Sequence, residues 1–185
     1  MRRLPGFLLV ALVGAACAQP APPPPPPGPP STAITASVRI PYEASKGFIL
    51  KAADQFPEAK YGFQPTKEVR TFGQVVAHIA DANYLFCSVA STEKAPEGSA
   101  EKTAKTKADI QKAVIASFAY CDRAFNALND TTGAESATIV PINNMKTTRL
   151  GALSFDGAHN YEHYGNLVTY MRLNKMVPPS SQGGM

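Results

Sequence analysis

Apolar residues recur at three- and four-residue steps in four separate segments of the chain, and this spacing predicts four amphipathic α-helices. The predicted helices span residues 41–55, 72–90, 105–128 and 148–174. The first follows the strand-like sequence SVRI, and the fourth ends before the helix-breaking sequence VPPSS. Hardly any other segment is rich in β-forming residues, so the pattern favours an all-α protein.

Four helices of this length predict a four-helix bundle. The linker around EKAPEGSAEKTAKT, between the second and third helices, has roughly fifteen residues. The linker around NDTTGAESATIVPINNMKT, between the third and fourth, has around twenty. Connections of this length allow consecutive helices to lie apart, so we expect long crossover connections rather than a simple up-down meander.

The N-terminal residues 1–18 have the order of a signal peptide: two arginines, an apolar run too short to span a bilayer, and small residues. The sequence Ala16-Cys17-Ala18 predicts cleavage before Gln19, whereas Cys17 offers the alternative of lipoprotein processing and a lipid anchor. Residues 19–33 are expected to form a proline-rich, disordered spacer. We therefore expect an exported protein of the periplasm or cell envelope, with one folded domain at 34–179 and a disordered tail at 180–185.

The charge of the predicted mature chain is nearly balanced. Removing Arg2 and Arg3 from the 18 basic residues leaves 16, against 14 acidic residues. The lysine-rich sequence EKTAKTKADIQK lacks interleaved aromatic residues and has the character of a loop followed by a solvated helix start. These features do not support a nucleic-acid partner, and we expect none.

Two cysteines, Cys87 and Cys121, remain after the predicted cleavage. They fall on different predicted helices near the apolar stripes, where a free cysteine is an ordinary core residue. An oxidising compartment favours the alternative, a disulfide that joins the second helix to the third. Neither cysteine has an adjacent histidine or basic residue, so neither is predicted to be a nucleophile.

The three histidines of the chain are candidate metal ligands. His159 and His163 are four residues apart on the fourth helix, so their rings project from one face, about 6 Å apart. His78 lies midway along the second helix, at a depth from which a neighbouring helix could supply the third imidazole. The alternative is that the spacing arose by chance and that both rings bond to surface groups.

The histidines lie away from the apolar stripe of the fourth helix. His159 and His163 share a sector with Phe155, Asn166 and Tyr170, almost opposite the stripe that contains Leu150 and Leu153. This helix is therefore expected to have one face against its own bundle and another in a cleft or against a second subunit.

The histidine motifs resemble those of the DinB superfamily, which includes metal-dependent thiol transferases and thiol-dependent isomerases. The sequence QVVAHIADANY is similar to the family's motif on the second helix, and HNYEHYGN is similar to its motif on the fourth. An arginine in YMRLNKMVPPSS and the stretch between the first two helices add to the resemblance, which covers residues 43–180. It implies a four-helix bundle, commonly a homodimer, in which His78, His159 and His163 bind a divalent metal ion, zinc or nickel being expected.

The chain departs from the family pattern at Glu162 and Tyr164, where many members have a histidine and an arginine. The departure leaves metal binding in place but prevents the transfer of a reaction. Three neutral nitrogen ligands leave a coordination position open, as in catalytic metal sites. We therefore expect a metal-dependent hydrolase or thiol transferase that acts on a small-molecule substrate, although export argues against cytosolic thiol cofactors.

Asp81, one turn beyond His78, is a candidate catalytic residue, because it could orient an imidazole or act as a base. The alternative for Asp81 is a solvated surface carboxylate. Glu162 is expected on the surface. Two alternatives to an enzyme also remain: a non-catalytic bundle that binds a structural metal ion or dimerises through its fourth helix, and an interaction domain without metal, in which the histidines lie far apart.

Overall fold

Helices dominate the computed structural model, which describes residues 31–91 and 93–183. Four long helices form the bundle: α1 Ala33–Gln55, α2 Phe72–Ala90, α4 Lys107–Asn126 and α6 Arg149–Leu173. Two helices of four residues, α3 Ala100–Thr103 and α5 Asp130–Gly133, lie in the linkers. The predicted all-α four-helix bundle is confirmed. Among the described helices, none combines the length and apolarity needed to span a membrane.

Two connections cross the bundle, in agreement with the predicted crossover topology: the one between α1 and α2 and the one between α4 and α6. The long linker between α2 and α4 instead joins neighbouring helices. Helix α2 packs against α4 and α6, and α1 packs against the same two helices. Consecutive long helices α1 and α2 therefore lie at opposite corners, as do α4 and α6. This arrangement places α2, which carries His78, directly beside α6, which carries the other two histidines.

The first helix starts eight residues earlier than we predicted, at Ala33 instead of residue 41. The SVRI sequence is helical, not a strand, and Pro41 lies inside the helix, where its ring removes one backbone hydrogen bond. The early start is stabilised by Asp130, whose carboxylate accepts hydrogen bonds from the backbone N–H groups of Ile34 and Thr35. A carboxylate that binds the free N–H groups of the first turn is a strong helix start, even from a distant part of the chain.

A small β-hairpin in the long linker before α6 was not predicted. Strands β1 Ser136–Ile139 and β2 Met145–Thr148 are antiparallel, and Asn143 and Asn144 occupy the turn with positive φ angles of 48° and 52°. Asparagine tolerates this left-handed conformation better than most residues. The hairpin buries Ile139 and leads into α6.

The core is aromatic near the α1–α2 connection and contains a disulfide between α2 and α4. The rings of Phe56 and Phe72 stack with centroids 3.7 Å apart. Cys87 and Cys121 are fully buried and disulfide-bonded, with Cα atoms 5.2 Å apart. Of the two alternatives for these cysteines, the structure therefore has the disulfide.

The ordered part of the chain extends beyond the predicted C-terminal boundary at residue 179. Residues 180–182 were assigned to the disordered tail, but Pro179–Ser181 form a 3-10 turn and Gln182 exchanges hydrogen bonds with Gln55 of α1. The proposed signal peptide, Cys17 and most of the spacer lie outside the described residues.

Candidate metal centre

The three histidines meet at one place between α2 and α6. His78, His159 and His163 each place one ring nitrogen within 4.8 Å of a ring nitrogen of the other two. The Nε2 atoms of His159 and His163 are 3.0 Å apart, and the ring centroid of His78 is 4.8 Å from that of His163. The four-residue spacing on α6 brings two rings together edge to face, with centroids 4.3 Å apart, and the packing of α2 against α6 supplies the third.

Burial keeps two of these rings neutral. The pKa of His159 is lowered to about 4, mainly by burial and further by the charges of His163, His78 and Arg70. Burial is also the main cause that lowers the pKa of His163, with a further contribution from His78. Neutral imidazole is the form that binds a metal ion, because a ring nitrogen then has a free lone pair.

Glu101, on the short helix α3, fixes the orientation of His78. Its Oε2 atom lies 3.1 Å from Nδ1 of His78, and its Oε1 atom accepts a hydrogen bond of 2.8 Å from Nε of Arg70. Burial acts against ionisation, but the hydrogen bonds from Arg70 and His78 prevail and lower the pKa of Glu101. An ionised Glu101 accepts a hydrogen bond from the Nδ1–H group of His78, which leaves the lone pair of Nε2 free to bind a metal ion.

Asp81 does not form a hydrogen bond to any of the three imidazoles. Its carboxylate accepts hydrogen bonds from the Ser99 hydroxyl and from the backbone N–H groups of Ala100 and Glu101. Asp81 therefore caps helix α3 and holds Glu101 beside His78. The hydrogen bonds of Asp81 therefore do not orient an imidazole directly, its influence on His78 is indirect, and its role as a base stays a prediction.

The other two histidines have different surroundings. Nδ1 of His163 lies 3.3 Å from the side-chain amide nitrogen of Asn166. Nδ1 of His159 is buried and has no hydrogen-bond partner among the described residues. Phe86 of α2 packs against the ring of His159 at a centroid distance of 5.4 Å and against Phe155 at 5.0 Å. Part of the histidine-bearing sector of α6 therefore faces α2.

A cavity of about 510 Å³ adjoins His163. Its lining includes Arg70, Glu101, Asn166 and Tyr170, together with the exposed side chains of Glu68 and Glu162. A cleft, one of the two surroundings expected for the histidine sector, therefore lies at this end of α6, and contact with a second subunit stays a prediction. Sequence reasoning missed Arg70, Glu68 and Glu101, because they lie in linkers whose path across the bundle no local pattern indicates.

The comparisons with known proteins agree with the fold. The sequence model of the DinB superfamily matches residues 43–167. Among curated proteins, no sequence matches the chain. A DinB-like protein from Bacillus subtilis is 18% identical with a TM-score of 0.63, covering 80% of this chain and 99% of its own. A DinB-like protein from Bacillus cereus is 14% identical with a TM-score of 0.66, covering 81% of this chain and 97% of its own.

A third similar structure is a mutant of a mycothiol-dependent maleylpyruvate isomerase, which is 12% identical with a TM-score of 0.60. The alignment covers 72% of this chain and 60% of the isomerase. Identities this low show a shared fold and carry no activity from one protein to the other. The family match, however, extends over more than half of the sequence, so the chain belongs to the DinB superfamily.

Proposed function

We propose that this protein binds a divalent metal ion, zinc or nickel, through His78, His159 and His163. The observation that carries the proposal is the convergence of three imidazoles, two of them kept neutral by burial, beside a cavity. Nitrogen ligands at 2.0–2.1 Å from zinc in tetrahedral geometry are about 3.3 Å apart. The 3.0 Å between the Nε2 atoms of His159 and His163 is close to that separation.

We infer that the site belongs to a metal-dependent hydrolase or thiol transferase. A bound divalent ion would supply a Lewis acid that lowers the pKa of a water or a thiol at the open coordination position. His78 is held in the required tautomer by Glu101, and Asn166 can do the same for His163 if its amide oxygen faces Nδ1. Arg70, Asn166 and Tyr170 line the cavity in which a small molecule would lie.

The open cavity favours an enzyme over a bundle with a purely structural ion. A structural site is closed by a fourth protein ligand, whereas a catalytic site keeps one position for water or substrate. Among the described residues, no fourth side chain joins the cluster formed by the three histidines. The mycothiol-dependent isomerase with the same fold makes thiol chemistry the first activity to assay.

Metal content is the direct test. The purified protein should contain about one zinc or nickel ion per chain, and His159→Ala should lose it, since the remaining two imidazoles bind too weakly. Tyr161→Ala is the matched control, because Tyr161 is 40% exposed on the same helix and is outside the cluster. Stoichiometric metal in His159→Ala, measured by elemental analysis, would exclude the proposed ligands.

A further inference from the structure

Arg70 lines the cavity beside His163 and has hydrogen-bond donors without a partner among the described residues. Its Nε donates to Glu101, but its two Nη atoms make no hydrogen bond to any described residue. Arg70 and His163 both line the cavity. A guanidinium has five N–H donors in a rigid plane, so four remain for a ligand in this cavity.

The charges around Arg70 leave it able to bind an anion. Both carboxylate oxygens of Glu101 are already engaged, one by Arg70 and one by His78. Glu68 and Glu162 also line the cavity, but both are exposed, so water and salt screen their charges, as they screen part of the charge of Arg70, whose side chain is 42% exposed. A ligand carboxylate can therefore approach the Nη atoms without displacing Glu101.

We propose that Arg70 binds a carboxylate group of the small molecule whose other end reaches the three histidines. The inference rests on the proposed function, and it adds the substrate class: a small carboxylic acid with a thiol or a hydrolysable group. Paired N–H donors match the two oxygens of a carboxylate, which gives stronger and more directional hydrogen bonds than a single point charge. A cavity of about 510 Å³ is within the usual range for small-molecule sites.

The alternative role for Arg70 is to hold Glu101 in place, with no contact to substrate. The two roles differ in one measurable property. A residue that only supports Glu101 affects every ligand of the metal equally, whereas a carboxylate-binding residue discriminates between ligands with and without that group. The test must therefore compare two ligands of similar size.

The experiment uses the zinc-loaded protein and two thiols, 3-mercaptopropionate and 3-mercapto-1-propanol, which differ in the carboxylate. Isothermal titration calorimetry gives the two dissociation constants for the wild type and for Arg70→Gln. Arg39→Gln is the matched control, because Arg39 also pairs with a glutamate, Glu43, but lies on α1 outside the cavity lining. The Cys87–Cys121 disulfide is fully buried, so neither thiol probe reaches it.

The wild type and Arg39→Gln should bind 3-mercaptopropionate roughly tenfold more tightly than 3-mercapto-1-propanol, as a charge-assisted pair predicts. In Arg70→Gln the ratio of the two dissociation constants should fall to about one. Equal binding of the two thiols by the wild type, or an unchanged ratio in Arg70→Gln, would overturn the role of Arg70 and leave the metal site standing. Failure of the wild type to bind zinc at all would overturn the proposed function as well.

Discussion

At the scale of single residues, the geometry of His78 depends on a carboxylate that lies 23 positions further along the chain. Glu101 contacts Nδ1 of His78, and Arg70 holds the same carboxylate from the other side. An acceptor on the outer nitrogen of a metal-binding histidine fixes the tautomer and makes the inner nitrogen a better ligand. We therefore expect the metal affinity of the proposed site to depend on Glu101 and Arg70, which are not among its three ligands.

Replacement of Glu101 by glutamine should weaken zinc binding by roughly 10- to 100-fold, the usual effect of losing such a hydrogen-bond partner. The amide cannot supply the negative charge that favours a proton on Nδ1 of His78. Competition with a chromophoric chelator measures the affinity. Glu97→Gln is the control, since Glu97 is in the same linker but is 85% exposed and pairs with Lys94. Equal affinities of wild type and Glu101→Gln would contradict the role of Glu101.

The histidines themselves were predictable, because the spacing of His159 and His163 and the depth of His78 are properties of the local sequence. The residues around them were not. Glu101 lies in a lysine-rich stretch that has the composition of a solvated loop, and only the fold of the linker brings it to His78. No local pattern in the sequence indicates which side chains of a linker turn inward.

A second residue-scale prediction concerns Asp156, a fully buried carboxylate on α6. Its Oδ2 lies 3.2 Å from the amide nitrogen of Asn160, and its Oδ1 has no hydrogen-bond partner among the described residues. Burial raises the pKa of Asp156 well above its usual value. Between the ordinary pKa and the raised one, the carboxyl group is protonated in the folded state and ionised in the unfolded state. The free energy of unfolding therefore falls as the pH rises through this range.

Asp156→Asn should remove that pH dependence, because the amide keeps the shape and cannot ionise. The variant should gain stability relative to the wild type at pH 8 by about 1–3 kcal/mol and little at pH 4. Thermal unfolding at both pH values measures the difference. Asp54→Asn on α1, an exposed position, serves as the control for a general loss of negative charge. An Asp156→Asn effect that is the same at both pH values would contradict a buried, protonated carboxylate.

At the scale of elements, helix α3 determines where Glu101 lies although it has only four residues. A helix this short has no stability of its own, since nucleation is unfavourable. Asp81 stabilises it by accepting hydrogen bonds from Ala100 and Glu101, and Ser99 caps it through the backbone of Lys102. The sequence indicated the long helices through their periodicity, but a single turn is too short to show a period.

Asp81→Ala should therefore weaken zinc binding about tenfold although Asp81 touches neither the histidines nor the cavity beside them. Release of the α3 cap would let Glu101 move away from His78, and backbone amides of residues 100–103 should exchange faster with solvent. Asp109→Ala is the matched control, because Asp109 belongs to the capping box that starts α4 and holds no residue of the site. Unchanged affinity together with fast exchange at α3 would show that α3 does not position Glu101.

At the scale of the whole molecule, two long linkers decide which helices are neighbours. The first, residues 56–71 between α1 and α2, lets α2 lie opposite α1 and beside α6, which is the condition for the histidine cluster. The length of the linker before α6 predicted a crossover, but the crossing between α1 and α2 and the hairpin inside the second linker were not foreseen. Each strand has four residues, and the PINN sequence between them indicates only a turn.

The boundary of the folded domain gives the last prediction. The predicted first helix began at residue 41, after the strand-like sequence SVRI, yet residues 33–40 form the first two turns of α1. These turns bury Thr35, whose hydroxyl and backbone N–H both bind Asp130, and Ser31 adds a further hydrogen bond. The N-terminal edge of the domain is therefore held by Asp130, which lies 95 residues after Thr35 in the sequence.

A chain of residues 31–185 should unfold in urea at the same midpoint as residues 19–185, the predicted mature form, because neither cut removes part of α1. A chain of residues 41–185 should lose about 2 kcal/mol or more, since it loses the cap, a buried side chain and two helical turns. Asp130→Ala in the 31–185 chain should reproduce part of that loss, and in the 41–185 chain it should have little effect because the partners are gone. If residues 31–185 and 41–185 were equally stable, α1 would be anchored by its packing against α4 and α6 alone, and Asp130 would not define the edge of the domain.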